Sequence, residues 1–101
     1  MKTQIQVLYA QMGTITDEQT GEQIPWANLY TLSDPIKTDE VSGAKPSKMP
    51  ILGPDGKASH AVAKKIISKL KAADQYPLTV TVEFGMKTVA NNAVMTITGV
   101  D

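Results

Sequence analysis

Apolar and polar residues alternate at the start of the chain, where Ile5, Val7 and Tyr9 are interleaved with Gln4 and Gln6, and this two-residue period predicts a β-strand. The pattern continues through Leu8, Met12 and Ile15 while its apolar set changes face, which predicts a long first strand with a kink or bulge near Gly13. The run Asp17-Glu18-Gln19-Thr20-Gly21-Glu22 has the chemistry of a turn: aspartate bonds the backbone that follows it, and glycine takes positive φ. A hairpin follows, with a second strand from Gln23 to about Leu32. Its two faces are Ile24, Trp26, Asn28, Tyr30 and Leu32 on one side, and Ala27, Leu29 and Thr31 on the other. Pro25 lacks an N–H, so this strand lies at an edge or properly starts after the proline.

Residues 33–56 carry four prolines, three glycines and mixed charges, and read as a long flexible loop, with one short strand at Met49-Pro50-Ile51-Leu52. Gly53-Pro54-Asp55-Gly56 reads as a tight turn. Val62, Ile66, Leu70 and Ala73 recur at three- and four-residue spacing, predicting a helix over 59–74 with Ser59 as N-cap and Asp55 as the alternative. Beyond Pro77, Leu78, Val80, Val82 and Phe84 alternate with Thr79, Thr81 and Glu83 in a half-buried strand. A bulge is expected at Gly85 and a two-residue turn at Asn91-Asn92, before a last strand through Val94 to Val100. Val62, Ile66 and Leu70 should bury against Val80, Val82 and Ile97. The resulting order, three strands, a helix and two strands, predicts a mainly β domain spanning 1–101. It fits an OB-fold-like five-stranded antiparallel barrel with its helix between strands 3 and 4, or an α+β sandwich with one helix over four strands.

Composition narrows the chemistry more than the fold. Without cysteine and with a single histidine, the 101-residue chain offers neither a disulfide framework nor a thiolate or histidine-rich metal centre, and no cofactor is expected. Ten lysines balance ten acids, so no global field draws it to nucleic acid or to anionic membrane, and any such attraction is local. The amino terminus alternates where a signal peptide would be continuously apolar. No run approaches the roughly 20 apolar residues of a membrane span. A cytoplasmic protein without membrane association is the expectation.

Enzyme chemistry finds no foothold. His60, beside Ser59 at the helix start, has no nucleophile or acid motif around it and reads as exposed or capping. Gly53-Pro54-Asp55-Gly56-Lys57 lacks P-loop spacing. Asp17, Glu18 and Glu22 lack EF-hand spacing and suit a solubilised hairpin tip. Lys64, Lys65, Lys69 and Lys71 read as a solvated helix face that complements the helix dipole. What remains is a binding surface. Single strands of nucleic acid are held by a positive groove with aromatic side chains under the bases. The chain offers Tyr9, Trp26, Tyr30, Tyr76 and Phe84, with Lys37, Lys45 and Lys48 beyond the second strand. Trp26 and Tyr30 fall on the strand that carries ligand in OB-folds, although the same face would also serve as core. There is no arginine, the residue best suited to stack on bases and to grip phosphate twice.

A compact β chain of this size, a hairpin from Gly13 to Tyr30 with aromatics on its second strand, a lysine-bearing loop and a closing hairpin together resemble the gene V-like proteins. These are the single-stranded-DNA-binding, helix-destabilising proteins of filamentous bacteriophages. The resemblance implies an OB-like barrel, dimerisation and cooperative coating of single-stranded phage DNA during replication in a bacterial host. The expectation is non-enzymatic binding of single-stranded DNA, with Trp26 and Tyr30 stacking and Lys37, Lys45 and Lys48 meeting phosphate. The alternative is a small phage or bacterial structural or adaptor protein that works through protein association. Val94, Met95, Ile97 and Val100 place apolar groups on both faces of the last strand, so a twofold homodimer through the final hairpin is expected.

Overall fold

The computed structural model describes residues 2–32 and 36–101. Seven strands and one helix follow in the order β1 (Lys2–Thr16), β2 (Gln23–Leu32), β3 (Ile36–Lys37), β4 (Ser42–Gly43), β5 (Pro46–Pro50), α1 (His60–Ala72), β6 (Leu78–Val89) and β7 (Asn92–Val100). Five of the strands form one antiparallel sheet in the order β5-β2-β1-β6-β7, and β3 pairs with β4 as a separate two-stranded ribbon. The sheet curls into an OB-like half-barrel, with α1 between the third and fourth of its five strands, as the element order predicts. Among the described residues no helix is long and apolar enough to cross a membrane.

Curling depends on β1, which pairs with β6 over Lys2 to Val7 and with β2 over Gln6 to Thr16. The register skips Leu8, since Val7 faces Thr31 and Tyr9 faces Tyr30. This bulge turns the strand over: Ile5 and Val7 point inward before it, Ala10 and Met12 after it. The change of face is as expected, but it occurs at Leu8 and not at Gly13: Leu8 does not adopt positive φ, so the bulge needs no glycine.

On β2 the inward face is Ala27, Leu29 and Thr31, all buried, whereas Ile24 is exposed and Trp26 and Tyr30 are half-buried on the outer face. Outer position, not core, is therefore the place of both aromatics. The core gathers Val7, Leu29, Ile51, Ala63, Ile66, Val80, Val82 and Ile97, with Val62 partly buried against it. Ser59 caps α1 as predicted, its Oγ accepting from the Val62 N–H at 3.3 Å. At the other end the Tyr76 hydroxyl donates to the Leu70 carbonyl at 2.8 Å and so occupies one of the carbonyls that a helix end leaves open.

Three expectations need correction. Residues 33–35, the start of the expected loop, lie outside the described residues, but much of the remainder is paired: β3 with β4, and β5 with β2. Proline is tolerated in β5 because it is an edge strand of the sheet and its prolines occupy its first and last positions. In the closing hairpin the left-handed residues are Ala90 (φ 49°) and Asn91 (φ 66°), one place earlier than Asn91-Asn92, because Val89 and Asn92 form the last pair. The break in register lies between Glu83 and Phe84, opposite Thr98, and not at Gly85. Gly85 instead makes room for Thr98, whose Cγ2 would lie 2.6 Å from an added Cβ.

Ile51 joins the two ends of the sheet. Its N–H donates to the Ala27 carbonyl (3.0 Å), its carbonyl accepts from the Ser59 N–H (3.1 Å), and it forms a parallel bridge to Ile97, where the Leu52 N–H donates to the Ile97 carbonyl (2.9 Å). Its side chain is fully buried. Truncation in Ile51→Ala should cost about 2–5 kcal/mol of unfolding free energy in a urea titration. A loss below about 1 kcal/mol would contradict the packing of this side chain in the core.

Candidate functional site

The two long hairpins project past the core. The Cα radius of gyration of 15.1 Å therefore exceeds the about 13 Å of a compact chain of this length. Between their bases, over the outer face of β2 and β5, lies a groove of about 810 Å³. Ile24, Pro25, Trp26, Pro50 and Leu52 give it an apolar wall, and Lys48, Lys57 and Lys87 stand around it against one acid, Glu22. The Lys87 ammonium also reaches the Gly56 carbonyl at 3.5 Å, linking the β6–β7 hairpin to the turn before α1.

Trp26 is held from two sides. Its indole lies on β1 at Gly13, its register partner, where an added Cβ would come within 2.6 Å of Cζ2. Gly13 is thus a close-approach glycine. From the helix side, His60 Nε2 lies 3.0 Å from the Gly13 carbonyl and 3.2 Å from the Trp26 carbonyl. Both partners are acceptors, so Nε2 carries the proton and donates to both. His60 is therefore a half-buried staple between α1 and the β1–β2 pair, not the exposed or capping residue its sequence position suggests.

Register places three rows across the outer face: Tyr9, Tyr30 and Lys48, then Gln11, Asn28 and Pro50, then Gly13 and Trp26. The Tyr9 and Tyr30 rings meet edge to face, with centroids 5.9 Å apart. The Tyr9 hydroxyl donates to Gln11 Oε1 (3.2 Å), and Gln11 Nε2 donates to Asn28 Oδ1 (2.9 Å).

Of the residues expected from sequence, Trp26 and Lys48 share the groove, and Tyr30 lies beside Lys48 in the same row, two rows from Trp26. Lys37, on β3, and Lys45, just before β5, are exposed and do not line it. Tyr76 serves the helix end, and Phe84 packs against the core. Lys57, Lys87, Gln11 and Asn28 were not selected. Lys57 was hidden in a turn motif and Lys87 on a hairpin arm, and neither has a local pattern that marks it. Among the described residues no three His, Asp or Glu side chains come together as a metal-binding set. No family model matches the chain, and neither the curated proteins nor the solved structures provide a match.

Gly13→Ala is expected to lift the indole from β1, changing the emission maximum of the single tryptophan and lowering stability. An unchanged emission spectrum would show that the ring does not rest on Gly13.

Proposed function

We propose that the chain binds single-stranded DNA without catalysing a reaction, along the outer face of β1, β2 and β5. The observation that carries this reading is the groove itself: Trp26 set in an apolar wall, three lysines around it, and the exposed Tyr9 and half-buried Tyr30 continuing the surface across the sheet. Aromatic faces accept any base, and flexible ammonium groups follow a phosphate backbone without demanding a fixed geometry. The face also corresponds to that on which OB-folds bind oligonucleotides, between the loops joining the first two and last two strands. Coating of single-stranded DNA during phage or plasmid-type replication, in the cytoplasm of a bacterial host, is the role that the gene V-like resemblance adds.

A second reading, a structural or adaptor protein acting through protein association, is favoured by one feature. Met86 and Met95 face each other across β6 and β7 and are 66% and 46% exposed, with Val89 open nearby. On the DNA reading the same patch supports a twofold homodimer, in which one surface meets its own copy.

Titration with oligothymidine at low salt should quench Trp26 fluorescence, and affinity should fall steeply with salt, with a slope of about −0.7 per phosphate neutralised. Lys48→Ala and Lys87→Ala should each remove about one contact from that slope, and Trp26→Ala should cost about 1–3 kcal/mol of binding. Absence of binding at low salt would give the adaptor reading the field. Separately, sedimentation should find a dimer at micromolar concentration that Met95→Lys dissociates, and a wild-type monomer would reject the dimer.

A further inference from the structure

We infer that Asn28 reads the bases of a bound strand, presenting its amide N–H groups to keto oxygens and disfavouring amino groups. The inference deepens the single-strand reading and rests on it. Asn28 lies on β2 between Trp26 and Tyr30, on the same outer face, and lines the groove beside Pro50. It is only 9% exposed. Its oxygen accepts from Gln11 Nε2, whose Oε1 in turn accepts from the Tyr9 hydroxyl, so in this arrangement the amide nitrogen is the end of the carboxamide left without a partner. Nδ2 has no hydrogen-bond partner among the described residues. No buried side-chain nitrogen or oxygen among them lacks a partner, so Nδ2 is not fully enclosed.

A donor pair set in a largely apolar wall discriminates by what it is left facing. A keto oxygen completes its hydrogen bond, whereas an amino group opposes donor to donor and leaves the amide unpaired after water has been displaced. Thymine and cytosine share the 2-keto oxygen and differ at the 4-position, keto in one and amino in the other, and at N3, a donor in thymine and an acceptor in cytosine, so the comparison tests a contact at the 4-position. Lysine contacts to phosphate are blind to that difference.

The test measures binding of the intact protein to oligomers of dT, dU and dC of about eight nucleotides, a length within the range one OB-fold covers. The pH is kept mildly alkaline so that cytosine stays unprotonated. Wild type should bind dT and dU about three- to tenfold more tightly than dC. Asn28→Ala should bring the three within about twofold of one another while leaving the salt dependence unchanged. Gln11→Ala, which frees the amide to rotate, should narrow the preference as well. Equal wild-type affinities, a preference for dC, or a dU that behaves as dC overturns the assignment, as does an Asn28→Ala loss shared equally by all three strands. The wild-type comparison needs no variant to fold. Failure to bind any strand at low salt overturns the single-strand reading and this assignment with it, whereas binding without preference overturns the assignment alone.

Discussion

The architecture hangs on the backbone of Ile51. A curled five-stranded sheet has two free edges, and free edges expose unpaired N–H and C=O groups. Just past β5 the chain spends one residue on three partners: β2 through Ala27, β7 through the bridge to Ile97, and the start of α1 through Ser59. The buried Ile51 side chain adds apolar contact where these elements meet. Because Ser59 is also the helix N-cap, the bond that draws the sheet edges together sets where α1 begins. The position of His60 follows one residue later, and from there His60 grips the carbonyls of Gly13 and Trp26. Closure of the half-barrel and placement of the groove's tryptophan are thus consecutive links of one hydrogen-bonded chain.

The outer face of β2 is what that support holds in place. Its inner residues, Ala27, Leu29 and Thr31, are buried, so register is strongly fixed: a slip of one residue would put Trp26 and Tyr30 inside and Leu29 outside. With register fixed, Trp26, Asn28 and Tyr30 are committed to the outside although two of them are large aromatics. A half-buried indole lying on a glycine, with its own backbone carbonyl held by His60, is a preorganised surface that needs little further ordering.

Much of this was legible in the chain and some was not, for reasons that lie in particular residues. The bounds of β2 agree with the turn chemistry of Asp17 and Gly21 before it, where Asp17 Oδ1 accepts from Gln19 N–H at 2.8 Å. Ser59 and the spacing of Val62, Ile66 and Leu70 marked α1 equally well. The short strand expected at Met49 to Leu52, confined by Pro50 to an edge or a bulge, is an edge strand, but β5 runs from Pro46 to Pro50 because its pairing with β2 begins at Leu32 opposite Pro46. The bulge was assigned to a glycine when the chain uses Leu8, and Gly13 had a different purpose, visible only once Trp26 lay across it. Lys48, Lys57 and Lys87 come from a strand, a turn and a distant hairpin, and the groove that unites them exists only in the folded chain.

Neutrality decides how such a groove can act. With ten positive and ten negative side chains, the molecule has no long-range field to steer a polyanion, and at physiological salt a charge is felt over only about 8 Å. The three groove lysines outnumber the one groove acid, so attraction for a strand would begin only near contact. On the proposed single-strand reading, recognition would then rest on short-range terms: ring faces, the apolar wall and the amide relay ending at Asn28. Lysine in place of arginine agrees with that division, because an ammonium on a flexible stem neutralises phosphate without fixing the strand's orientation. On that reading orientation would fall to Trp26 and Tyr30, which the β2 register commits to the outer face, so register and base contact would depend on the same strand.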